Sequence, residues 1–220
     1  MNLTDALIPP GWQWLWLVVG VIATRALWQA PWRVLTRPEL HHVMLGACVL
    51  VLAFWQIHAG IRPGLSLHLL GATLLVLLFG PRFALLCLLL VLALDDAWFG
   101  SGWQAFAANA LILAVVPVWV SWTVYRLADA RLPNNLFIYI FVNGFFGAAL
   151  SVLATGFVAT GLLVAMGDYA WGDLSQTYLP YYYLMAWSEA VTTGMLVTVL
   201  VVYRPQWVAT FDDKMYINGK

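Results

Sequence analysis

Residues 67–98 read LHLLGATLLVLLFGPRFALLCLLLVLALDDAW. Between His68 and Asp95 the stretch holds one charge, Arg82. An apolar run of this length belongs inside a bilayer. Gly80-Pro81 interrupts it. Proline has no amide hydrogen and disfavours a helical residue before it, so the run divides into two segments, 67–79 and 83–94. Each is short: roughly 15 residues at about 1.5 Å reach about 22 Å, less than a hydrocarbon core of about 30 Å. Short helices at membrane depth are tolerated where other protein covers their ends. The segment before Leu67 is therefore expected to dip into a helical bundle from the outer face.

The rest of the chain fits around this pair. Five further apolar spans are expected at 12–28, 42–57, 105–125, 136–166 and 182–203. They are separated by Pro31, Pro38, Pro63-Gly64, Gly100-Ser101-Gly102, Pro133-Asn134-Asn135 and Pro180. Of 220 residues, 63% are hydrophobic and 9% charged. Soluble domains carry about 25% charged residues, which excludes that class. The expected fold is an all-α integral membrane protein of about seven transmembrane helices in one bundle. The formal net charge of zero argues against a nucleic-acid partner; the lipid bilayer is the partner that composition implies.

With the N-terminus outside, Arg25, Arg33, Arg37, Arg82, Arg126, Arg131, Arg204, Lys214 and Lys220 all fall inside, and only Arg62 falls outside. That is the positive-inside pattern, and it sets the C-terminus in the cytoplasm. Asp5, Asp95, Asp96, Asp168 and Asp173 collect outside. Many of the 13 Trp and 9 Tyr sit near span ends, as in an interfacial belt. Cys48 and Cys87 read as small core residues.

An ionisable or amide side chain within a span is costly and marks a candidate site. The candidates are His68, Asn109 and Glu189, with Asp5 and His58 on the same side. Each also has an ordinary role open to it. His68 fits a helix start. Asn109 and Glu189 fit interhelical hydrogen bonding, with Ser188, Thr192 or backbone as partners for the glutamate. Asp95-Asp96 fits a solvated loop, and His41 and His42 an interfacial position. Small-residue rows at Gly20/Thr24 and Gly144/Ala148 fit helix contacts. No zinc-protease helix, nucleophile elbow, phosphate-binding loop or paired-cysteine motif is present, so no enzyme is expected.

The order of short motifs resembles the CbiM/NikM family. These are the membrane-embedded substrate-capture (S) components of energy-coupling-factor transporters for cobalt and nickel. The family opens M-H-I-P-D-G-F-L; here MNLTDALI keeps Met1 and Asp5. Its G-H-L-L-G-G segment matches LHLLGA at His68, and its L-L-G-P matches at Gly80-Pro81. Its G-A-N-x-x-N-M-G segment keeps Asn109, with Ile112 at the second asparagine. Its E-A-x-x-T-G and later R-P match at Glu189, Thr193, Gly194, Arg204 and Pro205.

The resemblance implies a single membrane-embedded domain over 1–220: a plug segment at 1–11, the bundle at 12–203 and a cytoplasmic tail at 204–220. It implies a divalent transition metal as transported substrate (nickel or cobalt, with copper and zinc as further candidates) and no organic cofactor. It implies that the metal is held by nitrogens of the Met1 amine, the second residue and His68, and such a set suits Ni(II), Co(II) or Cu(II). An N-terminal extension would destroy that site. Residue 2 is Asn2 where the family has histidine, so a fourth position falls to the Asn2 oxygen, Asp5, His58 or water. Asp5 is expected to hold the plug in shape, and Asn109 and Glu189 to stand behind the ligands. The implied partners are a membrane coupling (T) component and cytoplasmic ATPases, and the implied location is the cell inner membrane. An accessory or scaffold protein that keeps the fold without transporting is the alternative that Asn2 leaves open.

Overall fold

A computed structural model describes residues 3–36, 38–62, 65–99, 102–167 and 169–216. The chain runs α1 (Leu15–Gln29), α2 (Pro38–Gln56), β1 (Ala59–Arg62), β2 (Leu65–Leu67), α3 (Ala72–Phe99), α4 (Phe106–Arg131), α5 (Leu136–Met166), α6 (Trp171–Thr177), α7 (Leu179–Tyr203) and α8 (Asp213–Tyr216). Five stretches are long and apolar enough to cross a membrane: Glu39–Gln56, Ala72–Trp98, Phe106–Arg131, Leu136–Met166 and Trp171–Tyr203. The protein is an all-α membrane protein. One small element departs from that class, an antiparallel pairing of β1 with β2 where the sequence reads as a connecting segment.

The two short spans expected at 67–79 and 83–94 form the one stretch α3, broken at Gly80 (φ 78°, ψ 168°). Its first half begins beside Glu189 in the middle of α7. It ends at Leu77 and Leu78, whose carbonyls meet the chain just after α7. Its second half starts at Arg82, hydrogen-bonded to Gln29 at the end of α1, and reaches Asp95, bonded to Gln56 at the end of α2. The chain therefore reverses at Gly80-Pro81. The first half is a helix of about 12 Å, shorter than the hydrocarbon core of about 30 Å.

α3 packs on α2 and α4, α4 on α5, and α5 on α7. The row Gly144/Ala148 lies in the α5–α7 contact, with Val197 and Gly194 close to where a Gly144 side chain would stand. At Gly20 nothing stands within 4 Å of that point. Leu3, Leu70, Leu75, Leu88, Leu92 and Ile112 are among the fully buried side chains at the centre.

Two expectations from composition are corrected. Asp95 and Asp96 are buried, not solvated, because α3 continues past them to Phe99. Tyr139, Tyr178 and Tyr182 lie in the core and not in the belt. Their hydroxyls are satisfied internally, Tyr178 and Tyr182 by each other at 2.8 Å, which is what makes such burial tolerable.

Gly71 sits at φ 69°, and a Cβ there would stand 2.8 Å from Val51 Cγ2. Both the left-handed backbone and the contact exclude a side chain. Gly71→Ala is expected to lower stability by about 2–4 kcal/mol, adding backbone strain to overpacking. Thermal unfolding of the detergent-solubilised protein measures it.

Candidate functional site

The site is assembled from two backbone segments, each gripped by a side chain distant in sequence. The first is the start of the described chain. Asn109 clamps Leu3 on both sides: its Oδ1 accepts from the Leu3 amide at 2.7 Å, and its Nδ2 donates to the Leu3 carbonyl at 3.0 Å. An asparagine amide offers one acceptor and a donor side by side, so it pairs with a peptide as a neighbouring strand would. The Leu3 side chain is fully buried, in one cluster with Trp55, Leu67 and Leu70. Two residues on, Asp5 Oδ1 accepts from the amide of Ala105 at 2.7 Å, at the start of α4. A carboxylate there satisfies an orphan donor and complements the helix dipole. Asp5 fills the space that a side chain on residue 102 would need, and that residue is Gly102. Asn109 lies one turn inside α4, directly before a π-helical stretch, Leu111–Val115.

The second segment is the turn 68–71 between β2 and α3. Glu189, buried on α7, holds it with both oxygens. Oε2 accepts from the Leu70 amide and Oε1 from the Gly71 amide, each at 2.7 Å. These amides stand immediately before Ala72, the first residue of α3, so the carboxylate occupies a helix N-terminus, where amide hydrogens and dipole both favour an anion. His68 is 2% exposed. Its ring lies 4.6 Å from that of Trp55, and Trp55 Nε1 donates to the Leu70 carbonyl at 3.3 Å. His68 Nδ1 is 3.0 Å from the Leu69 carbonyl, which can only accept. Nδ1 therefore carries the hydrogen, and Nε2 carries the lone pair. An imidazole with a hydrogen on one nitrogen and a lone pair on the other is the form that ligates metals.

Asp5 and Asn109 thus meet at the N-terminal segment, and His68 and Glu189 meet at the turn. The two groups share one buried apolar cluster through Leu3 and Leu70. His58 is exposed beyond the end of α2. Met1 and Asn2 lie outside the described residues. Among the described residues no three His, Cys, Asp or Glu side chains converge as a metal cluster. Asp5 through Oδ1, Asn109 through its side-chain oxygen and Glu189 through both carboxylate oxygens accept from backbone amides. Trp55 was hidden from sequence reading by its likeness to the belt tryptophans. Its only sequence signal is its place one residue before the end of α2.

Comparison with known proteins identifies the family of the chain. The family model for CbiM, described as the cobalt uptake substrate-specific transmembrane region, matches residues 2–207. A probable fused nickel transport protein, LarMN of Lactiplantibacillus plantarum, is 32% identical over 167 residues. That match covers 73% of this chain and 49% of the relative, so the chain spans about half the relative's length. A crystal structure of a transition metal transporter superposes with a TM-score of 0.75 at 21% identity, covering 91% of this chain and 92% of the other. A truncated transition metal transporter gives 0.71 at 22% identity, covering 92% and 99%. At these identities the structural likeness is one of fold. The family and the relative are transport proteins, not enzymes.

Proposed function

The chain belongs to the CbiM family of cobalt and nickel transport components, and from that premise we propose that it is the substrate-capture component of an energy-coupling-factor transporter for a divalent transition-metal ion. Nickel and cobalt are the leading cargo, with copper and zinc as competitors. The supporting observation is the paired grip: Asn109 on Leu3 and Glu189 on Leu70 and Gly71, which draws the N-terminal segment and the His68 turn into one buried cluster. In this reading the Met1 amine, the Asn2 backbone and His68 Nε2 bind the ion, and Asp5, Asn109 and Glu189 hold those groups in place. His58 serves at most at the mouth.

The bundle crosses the inner membrane about seven times, counting α1 and both halves of α3. The N-terminus is outside and the segment after α7 is cytoplasmic. A membrane coupling protein and cytoplasmic ATPases supply the energy. The second reading, a scaffold that retains the fold without transporting, is favoured by one residue, Asn2, whose amide is a poorer ligand than imidazole.

The test is the metal content of the purified protein by elemental mass spectrometry after exposure to Ni, Co, Cu and Zn. One tightly held ion per chain, lost when residues are added before Met1, is the expected result. Absence of metal in the native chain with metal gained in Asn2→His would establish the scaffold reading instead.

A further inference from the structure

The break at Gly80-Pro81 leaves a structural debt. In an unbroken helix the carbonyls of Leu77 and Leu78 accept from residues 81 and 82. Pro81 has no hydrogen to give, and the Gly80 conformation turns Arg82 away. A carbonyl without a donor inside a membrane protein is costly, so donors come from elsewhere. They come from the segment after α7. The Thr210 amide and hydroxyl both donate to the Leu77 carbonyl, at 3.3 and 2.8 Å, and the Ala209 amide donates to Leu78 at 2.9 Å.

Thr210 is itself held. Its hydroxyl hydrogen is committed to Leu77, so the Tyr139 hydroxyl donates to Thr210 Oγ1, at 2.6 Å. The Tyr125 hydroxyl donates to its carbonyl at 3.2 Å. Phe211 packs edge-on against Tyr139, 4.9 Å between rings. After α7 the chain therefore turns at Pro205–Trp207 and folds back into the end of the bundle.

We propose that Thr210 is a positioning residue for the ion-binding turn, acting through residues 72–79 as a strut. Glu189 grips one end of the strut at Leu70 and Gly71; Thr210 and Ala209 grip the other at Leu77 and Leu78. Both grips belong to one continuous stretch, 189–210. A helix of two turns, about 12 Å long, transmits displacement along its axis without absorbing it. Loss of the Thr210 grip frees the strut to slide, and His68, two residues before the Leu70 amide, slides with it. The device places the control of ion release at the end of the bundle opposite the binding turn. It rests on the reading of His68 as a ligand for the identity of the ion, but not for the mechanics.

The test separates the two. Hydrogen exchange by mass spectrometry is measured on the full chain in detergent, for Thr210→Val, Thr210→Ser and Tyr139→Phe. Valine keeps the shape and removes the hydroxyl; serine restores it. Exchange at Leu70 and Gly71 is expected to rise about tenfold in Thr210→Val, the equivalent of one lost hydrogen bond, to rise less in Tyr139→Phe, and to stay at the native level in Thr210→Ser. In parallel, nickel- or cobalt-loaded protein challenged with a chelator is expected to lose its ion about tenfold faster in Thr210→Val, in step with the exchange. Faster exchange confined to residues 77–79 and 208–211 would overturn the proposal, leaving Thr210 a local cap. If Thr210→Val does not fold, Tyr139→Phe decides by the same criterion. A native chain that holds no metal but shows the distant exchange response would sink the transport reading and leave the strut standing.

Discussion

Glu189→Ala is expected to lose bound metal and to lower stability by about 3–5 kcal/mol, the largest stability effect of any single change at the site. The magnitude follows from what is left behind. The amides of Leu70 and Gly71 point into a buried region, and each loses the carboxylate oxygen that accepts from it, Oε2 for one and Oε1 for the other. Burying two unpaired amides costs about 1–3 kcal/mol each, and the helix N-terminus loses its anion as well. Conservative replacements sharpen the test. Glutamine keeps one acceptor and turns an NH₂ toward an amide that also donates, so Glu189→Gln should retain roughly half the lost stability and little of the metal retention. Aspartate has two oxygens but lacks a methylene of reach. Only glutamate on this helix offers two acceptors at the required depth. Thermal unfolding and metal content, measured on the same preparations, give both effects. A Glu189→Gln protein that melts and binds metal like the native one would show that the carboxylate is not what holds the turn.

The buried polar residues at the N-terminal segment and at the turn were visible in the sequence as polar exceptions in apolar surroundings. His68, Asn109 and Glu189 stand out for that reason, and Gly80-Pro81 for the local chemistry of proline. Their partners were not visible. Asn109 meets Leu3 across 106 positions, and Glu189 meets Leu70 across 119. No periodicity within a helix encodes such a pairing. The length deficit of the first half of α3 was legible, because arithmetic on residue count exposes it. What covers its ends was not, because the grips of Glu189 and Thr210 are tertiary.

Misreadings have the same origin. Asp95-Asp96 looks like a loop because it precedes a glycine-rich stretch, yet α3 runs through it and Gln56 from α2 reaches Asp95 Oδ1 at 2.9 Å. Trp55 looks like one more belt residue among 13 tryptophans, yet it is buried, contacts the His68 ring and donates to the Leu70 carbonyl.

His68→Ala is expected to reduce metal affinity at least about 100-fold while leaving the bundle folded. Two features separate it from Glu189→Ala. First, the turn is gripped from outside by other residues. The turn is fixed by Glu189 on its amides and by Trp55 Nε1 on the Leu70 carbonyl, and both remain when the imidazole is removed. Second, what His68 contributes is a lone pair with a set direction. Nδ1 is occupied by the adjacent Leu69 carbonyl and the ring rests on Trp55, so Nε2 is presented in one tautomer and one orientation. Metal-binding histidines held this way lose about 10–100-fold in affinity when only the supporting group is changed, so removing the ring itself must cost more. Trp55→Phe then becomes the informative companion. It keeps an aromatic face for His68 but removes the indole donor, and its loss of affinity is expected within that smaller range. Competitive titration with a metal indicator, alongside thermal unfolding, reads both. Equal affinity in His68→Ala and the native protein would remove the imidazole from the site and leave the N-terminal segment to bind without it.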